Sequence, residues 1–387
     1  MQEPRIVNAG VDTLKINVCL IGGEGEVLKH ATIPQEIIQV CQRWQQEAKI
    51  ATRPVATTYE FRNAHLLMYP NSAPAWNYIL RNDCLEIKLE PRLPLSVIAK
   101  ITLQSSYLWT VSTPKVAVDE VKHFLITQLF GDHLFLQIAQ LDLCVDVMNF
   151  IPPADAQREF LARPRKKQKI EVSEKHKEII NGRKLETIQF SGHGRPFSGK
   201  LYDKKAEIEQ RSKKTWFHPR WQQKGWDGKA DVWRMEFSIE REGFHDVKIE
   251  GVYHALENVR RLWAYCSQEW LRMVVPGQDK KRTRWATHPT WLLIQKAFDD
   301  YSVSDMDGLG PLVREKTRES NIEQIVAQIA GCATTLAAWE KDIQAHSDTL
   351  DEEIFSLLQR KVRERWRKTG IVVQDVVQEK KLLYSQA

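Results

Sequence analysis

The sequence predicts an α+β fold, an antiparallel sheet with flanking helices, followed by an α-helical C-terminal region. Three observations predict it. Apolar and polar residues alternate with period two over 10–18, 141–147 and 232–239, as they do in strands with one buried face. Apolar residues recur at helical spacing over 116–130 and 253–272, and again over 320–342 and 350–368. The 387 residues give room for two or three domains. We divide them as an α+β region over 1–275, a basic linker and helix over 276–319, and a helical region over 320–387.

In chain order, Val7 to Leu20 reads as a first strand. Gly22 to Glu26 is a turn, and Val27 to Ile33 returns as a strand. Pro34 opens a helix to Gln45, with Ile37, Ile38, Val40, Cys41 and Trp44 on one face. Short strands follow at 59–61, 66–69 and 85–89, and Pro94 starts an apolar-faced segment. A helix over 116–130 leads into a central strand, 135–147. Residues 151–183 are polar and basic and read as a loop or lid, with a short helix near 173–180. A hairpin comes next: strand 187–190, the glycine loop Ser191-Gly192-His193-Gly194-Arg195-Pro196, strand 200–204, then a helix over 205–211. Helices 253–272 and 291–298 flank a basic linker at 276–284.

Composition narrows the function. No apolar run is long enough to span a bilayer, and Met-Gln-Glu-Pro-Arg lacks the pattern of a signal peptide, so we expect a cytoplasmic protein without a membrane partner. Six cysteines stand singly, without a C-x-x-C pair, which fits a reducing compartment and argues against a zinc ribbon. Charge is unevenly spread. Residues 151–220 carry 18 Lys and Arg against 9 Asp and Glu, whereas 1–150 carry 13 against 15. A focused basic region is the footprint of a polyanion, most often nucleic acid; a solvated linker has the same composition. The chain has no G-x-x-x-x-G-K-[ST] loop, no G-x-S-x-G elbow and no His-hydrophobic-His pair. ATPase and serine-hydrolase readings lose their support.

The central strand carries the sharpest signal. Asp142, Cys144 and Asp146 share one face, and Leu141, Leu143, Val145 and Val147 the other. Two carboxylates on one face repel unless positive charge sits between them, either a divalent cation with oxygen ligands or a Lys or Arg from a neighbouring strand; the alternative is a solvated strand face. Glu236, beside Arg234 on another strand, is a third candidate oxygen donor, or half of a cross-strand ion pair. Tyr202 stands between Lys200 and Lys204, which would favour its phenolate and hold a phosphate; equally, it packs its ring and hydrogen-bonds its hydroxyl. Residues 213–229 mix Lys213, Lys214, Trp216, Trp221 and other rings and cations. That is the composition of a single-strand DNA platform, or of a loop whose tryptophans are core. Arg165, Lys166 and Lys167 extend the basic region, and His193 is the histidine to test.

Taken in order, Gly10-Val11-Asp12-Thr13-Leu14, Leu141-Asp142-Leu143-Cys144-Val145-Asp146, Gly192-His193-Gly194-Arg195, Lys200-Leu201-Tyr202-Asp203-Lys204 and Trp233-Arg234-Met235-Glu236 resemble the Rep_trans group of rolling-circle replication initiators of plasmids and filamentous phages. The resemblance spans roughly residues 8–300. It implies a variant HUH-endonuclease, RRM-like nicking domain, duplicated or elaborated. It also implies a protein that nicks and rejoins one strand at an origin, single-stranded or cruciform, through a 5′-phosphotyrosine and a free 3′ hydroxyl. Carried across, Tyr202 is the nucleophile and Lys204 assists it. Asp142, Asp146 and Glu236 hold Mg²⁺ or Mn²⁺. Lys200, Arg234, Arg195 and His193 meet phosphate. Gln140 and Lys200 stand where the family more often has Arg, and Tyr253 and Tyr265 are the alternative tyrosines. The helical region after 300 lies outside the resemblance, and its basic last helix could read duplex DNA, recruit a host helicase or pair with a second copy of the chain. Two other functions fit the same residues: an origin-binding regulator without chemistry, and an RNase H-like nuclease or transposase in which water attacks between two metals.

Overall fold

The computed structural model describes residues 3–90, 96–153, 155–162, 170–171, 187–191, 195–301, 318–340, 349–370, 372–374 and 377–378. The chain divides into two compact units, Met1–Arg314 and Glu315–Ala387.

The first unit is built on the alternation. Its strands are β1 (Arg5–Leu20), β2 (Val55–Phe61), β3 (Ala64–Met68), β4 (Tyr78–Arg81), β5 (Leu85–Leu89), β6 (Ala99–Leu103), β7 (Leu134–Met148), β8 (Phe160–Ala162), β9 (Ile170–Glu171), β10 (Thr187–Phe190), β11 (Phe197–Asp203), β12 (Val232–Glu240) and β13 (Leu271–Met273). Eleven of them form one antiparallel sheet in the order β2-β3-β4-β5-β6-β1-β7-β12-β11-β10-β9, and β8 pairs with β13. The two longest strands, β1 and β7, lie side by side at the centre. The segment 27–33 does not form the return strand that the sequence suggests. It contributes only isolated bridge residues, Val27, paired with Ile21, and Ala31, while Ala31 and Ile33 are buried in the core. The segments at Pro94 and 173–180 lie outside the described residues.

One face of the sheet is apolar. Leu14, Ile16 and Val18 of β1, Leu141, Leu143, Val145 and Val147 of β7, and Met235, Phe237 and Ile239 of β12 are buried in one core. Each such side chain stabilises the fold by about 1.5–3 kcal/mol. The helices Gln35–Ala51 and Pro114–Leu125 add Ile37, Cys41 and Trp44, and Val118, Val121 and Phe124, to that core. Thr113 caps the second by accepting from Val116 N–H, with Pro114 at its first turn. The stretch read as one helix over 253–272 is three pieces, Val252–Glu257, Val259–Ala264 and a wider turn Tyr265–Trp270, before the chain extends into β13. Trp291, in Pro289–Gln295, donates its indole N–H to the Ser267 carbonyl at 2.8 Å, so these residues belong to the same core.

The other face of β7 is where the organisation departs from a simple solvated surface. The helical segment Lys204–Glu207, its wider turn Ile208–Ser212, the helix Phe217–Gln223 and the loop after it lay Ile208, Phe217, Trp221 and Trp226 over Cys144 and Met148 as a second apolar cluster. Trp109 joins it from the β1 side. A Cβ at Gly10 would stand 2.7 Å from Trp109 Cη2, so glycine is what lets that indole lie across β1.

In the second unit the helices Arg318–Trp339 and Leu350–Thr369 carry the predicted helical C-terminal region. No helix among the described residues is long and apolar enough to cross a membrane.

Candidate functional site

The register gathers the predicted residues on that second face. Asp146 lies opposite Arg234, Cys144 opposite Glu236, and Asp142 opposite Ser238. On the next strand Tyr202 lies opposite Arg234, and Lys200 opposite Glu236. Directly opposed residues of an antiparallel pair project to the same side. Asp142, Asp146, Glu236, Arg234, Lys200 and Tyr202 are therefore brought together.

They form two groups with different chemistry. The first is a closed ion network. Arg234, 0% exposed, donates Nε to Asp146 Oδ1 at 2.6 Å, Nη2 to Asp146 Oδ2 at 2.9 Å and Nη1 to Asp12 Oδ1 at 2.9 Å. Asp146 also accepts from Trp221 Nε1 at 2.9 Å and Asn8 Nδ2 at 3.2 Å. Asp12 accepts from Ser105 Oγ at 3.0 Å and Trp109 Nε1 at 3.1 Å. The guanidinium carbon lies 4.5 Å from the Phe217 ring centroid. Burial works against the charge on Asp12, yet Arg234, Lys214 and Lys204 outweigh it and hold its carboxyl down at about 2.

Four of the expected site residues lie in or against this network. Asp146 is fully buried and meets Arg234 through both oxygens, with Trp221 and Asn8 also on Oδ2, which is the geometry of a counter-ion to Arg234. Arg234 has no accessible face for a DNA phosphate. Trp221, 0% exposed, is a wall of the network and has no ring face open to a base. Lys204 is buried, pairs with Glu207 at 2.7 Å and lies over the Tyr202 and Phe217 rings at 5.6 and 5.2 Å, so it is not placed as a free phosphate ligand.

The second group is poised rather than closed. Tyr202, half-buried, donates its hydroxyl to Glu236 Oε2 at 3.1 Å. Burial first, then the Glu236 charge, pushes the phenol well above its ordinary value, opposite to the depression expected from two flanking lysines. Burial, with Asp142 and Asp12 nearby, pushes Glu236 up to about 7. Burial also raises Asp142, although Gln140 donates to it at 2.9 Å. Gln140 Nε2 reaches Ser238 Oγ at 3.0 Å as well. A phenol hydrogen-bonded to a carboxylate whose pKa is raised to about 7 has a proton acceptor already in contact.

The remaining residues are scattered. Arg195 and Lys213 are exposed, and Lys213 donates to the Glu209 carbonyl. Lys214 is half-buried. Trp216, also half-buried, stacks on Phe217 with centroids 3.8 Å apart. Arg165, Lys166, Lys167 and His193 lie outside the described residues. Tyr265 packs in the core against Phe197, and Tyr253 donates to Asp119 Oδ1 at 2.8 Å, so neither joins the acidic residues. Asp12 is the site residue that site selection from sequence missed. A register irregularity between Val11 and Thr13 breaks the simple alternation there, and the signal was a lone carboxylate inside an apolar strand.

Among the described residues no three His, Cys, Asp or Glu side chains form a group that would by itself hold a metal ion. Asp142 and Glu236 are the pair whose chemistry fits one: both are carboxylates with raised pKa values, in need of positive charge.

No family model matches the chain, and no curated protein matches it. Among solved structures, a rolling circle replication initiator protein from Geobacillus stearothermophilus is similar over 75% of this chain and 97% of its own, at 12% identity and a TM-score of 0.42. That likeness is loose.

Proposed function

We propose that this chain nicks and rejoins one strand of DNA to initiate rolling-circle replication of a plasmid, phage or other mobile element. The observation that carries the reading is the hydrogen bond from Tyr202 to Glu236, on a sheet face shared with Asp142 and Lys200. Tyr202 Oη attacks the scissile phosphorus and passes its proton to Glu236. The new O–P bond forms as the P–O3′ bond breaks, the departing 3′ oxygen takes a proton from water, and Glu236 later gives its proton back to solvent. The 5′ phosphate stays on the tyrosine, so the bond energy is kept for rejoining without ATP. Lys200, opposite Glu236 and half-buried, would meet the phosphate. Asp142 and Glu236 would hold a divalent cation, Mg²⁺ or Mn²⁺, which supplies charge neutralisation at the phosphate. The closed network of Arg234, Asp146 and Asp12 fixes β1, β7 and β12 relative to one another beneath the site.

The test is a nicking assay on supercoiled DNA carrying the coding region and its flanks, with Mg²⁺ or Mn²⁺. The wild type should give open circles with protein attached, and Tyr202→Phe and Glu236→Gln should give neither. Open circles without attached protein would favour the water-using nuclease. Binding with no nicking would favour the regulator.

A further inference from the structure

The polar face that carries Tyr202 does not end at β7. Gln140 lies opposite Glu240 on one side and Lys15 on the other. Lys15 lies opposite Thr102 of β6, Asn17 opposite Lys100, and Lys100 opposite Lys88 of β5. Asn17 and Gln137 tile the gap with a hydrogen bond of 3.1 Å. Lys15, Lys88 and Lys100 thus form a triangle of ammonium groups on the same face as the tyrosine. At about 4.8 Å per strand, Lys15 is about 14 Å across the sheet from the Tyr202 strand, and Lys88 about 24 Å.

This triangle is not a relaxed arrangement. Like charges directly opposite across a strand pair are destabilising, and Lys88 faces Lys100 in register. Burial, then Lys15, with a smaller effect from Lys88, lowers the Lys100 pKa, and Glu240 only partly opposes them. Lys88 has Glu86 at 3.0 Å. Its side chain is still 29% exposed, and Lys15 and Lys100 are likewise only partly buried. Three half-buried cations against two carboxylates leave room for an anion that bridges the lysines.

We infer that Lys15, Lys88 and Lys100 are a second phosphate-binding station, which holds the backbone of a single DNA strand running across the open sheet face away from Tyr202. The inference rests on the nicking reading for the strand's starting point, but the station itself is defined by its own residues. A strand pinned at both places cannot diffuse away between nicking and rejoining.

The experiment measures binding of fluorescent oligothymidylates of increasing length to the full chain across a salt series, in parallel with the nicking assay. Single-strand binding weakens with log salt at about −0.7 per phosphate contacted. Wild type should gain affinity when the oligonucleotide becomes long enough to reach both stations. Lys100→Gln and Lys15→Gln should each abolish that gain and flatten the salt slope by about 0.7, with nicking at Tyr202 retained on supercoiled DNA. Lys100→Gln should keep or raise the melting temperature, because a repulsive pair has been relieved. Unchanged salt slopes in both variants, with nicking intact, would overturn the station and leave the nicking reading standing. No nicking by wild type, with lysine-dependent slopes, would overturn the nicking reading and keep the station. A Lys100→Gln protein that melts several degrees lower would show the lysine to be a structural residue and overturn the inference.

Discussion

Replacing Asp146 by Asn should destabilise the first unit severely while leaving its shape unchanged. Asp146 is fully buried and accepts from Arg234 twice, from Trp221 and from Asn8. Asparagine keeps one acceptor and turns an NH₂ toward donors. Arg234 is then left in the core with only Asp12, which is already shared with Ser105 and Trp109. Breaking a buried pair from one side costs about 3–5 kcal/mol. At roughly 2 °C per kcal/mol for a unit of this size, the melting temperature should fall by about 6–10 °C. Chemical denaturation of Asp146→Asn, Arg234→Met and the double variant gives the coupling energy directly. The structure requires coupling above about 2 kcal/mol, because each single change strands the other partner. A loss below about 1 kcal/mol in Asp146→Asn, or additivity in the cycle, would refute the buried network, and Asp146 would return to the list of metal ligands.

Other outcomes follow from the same site. Glu236 has its pKa raised from 4.5 to about 7 in the folded chain. Its contribution to stability is therefore full below about pH 4.5 and lost as pH rises through about 7, and Glu236→Gln should stabilise the fold by up to about 3 kcal/mol at pH 8 and by little at pH 4; denaturant melts at both pH values check it. Tyr202→Phe removes one half-buried hydrogen bond, so it should change stability by no more than about 1.5 kcal/mol while nicking is lost; a large melting shift would mark Tyr202 as structural. Trp221→Phe deletes a donor to Asp146 and should lower stability by about 1–3 kcal/mol without altering the salt slope of DNA binding; a flatter slope or loss of base stacking would restore Trp221 to the DNA surface. EDTA should abolish nicking and spare salt-dependent binding, since the metal is proposed to sit on the carboxylates Asp142 and Glu236 and the strand's phosphates to meet ammonium groups.

The sequence made the sheet legible wherever one face had to be apolar. The period-two pattern placed β7 and β12 almost to the residue, because Leu141 to Val147 and Trp233 to Ile239 cannot sit in any other register without exposing their core face. It also placed Asp142, Tyr202 and Glu236 on faces that prove to be shared. It did not reveal what covers a face. Trp221 and Phe217 looked like stacking platforms because rings among lysines read the same whether they meet a base or a buried guanidinium. Arg234 is the sharpest case: a cation on a polar strand face gives no sign, in one dimension, that Asp12 lies 222 residues away in sequence and 2.9 Å away in space. The break at Asn258 was hidden for the opposite reason, since apolar spacing continues through it on both sides.

The central claim is that Tyr202 carries DNA during the reaction. The direct measurement is to trap the covalent product on labelled DNA with Mg²⁺ or Mn²⁺, digest protein and DNA, and identify the nucleotide-bearing peptide by mass spectrometry. The account predicts a single adduct on Tyr202, on a 5′ phosphate, absent from Glu236→Gln. An adduct on another residue, or strand cleavage with no adduct at all, would contradict it.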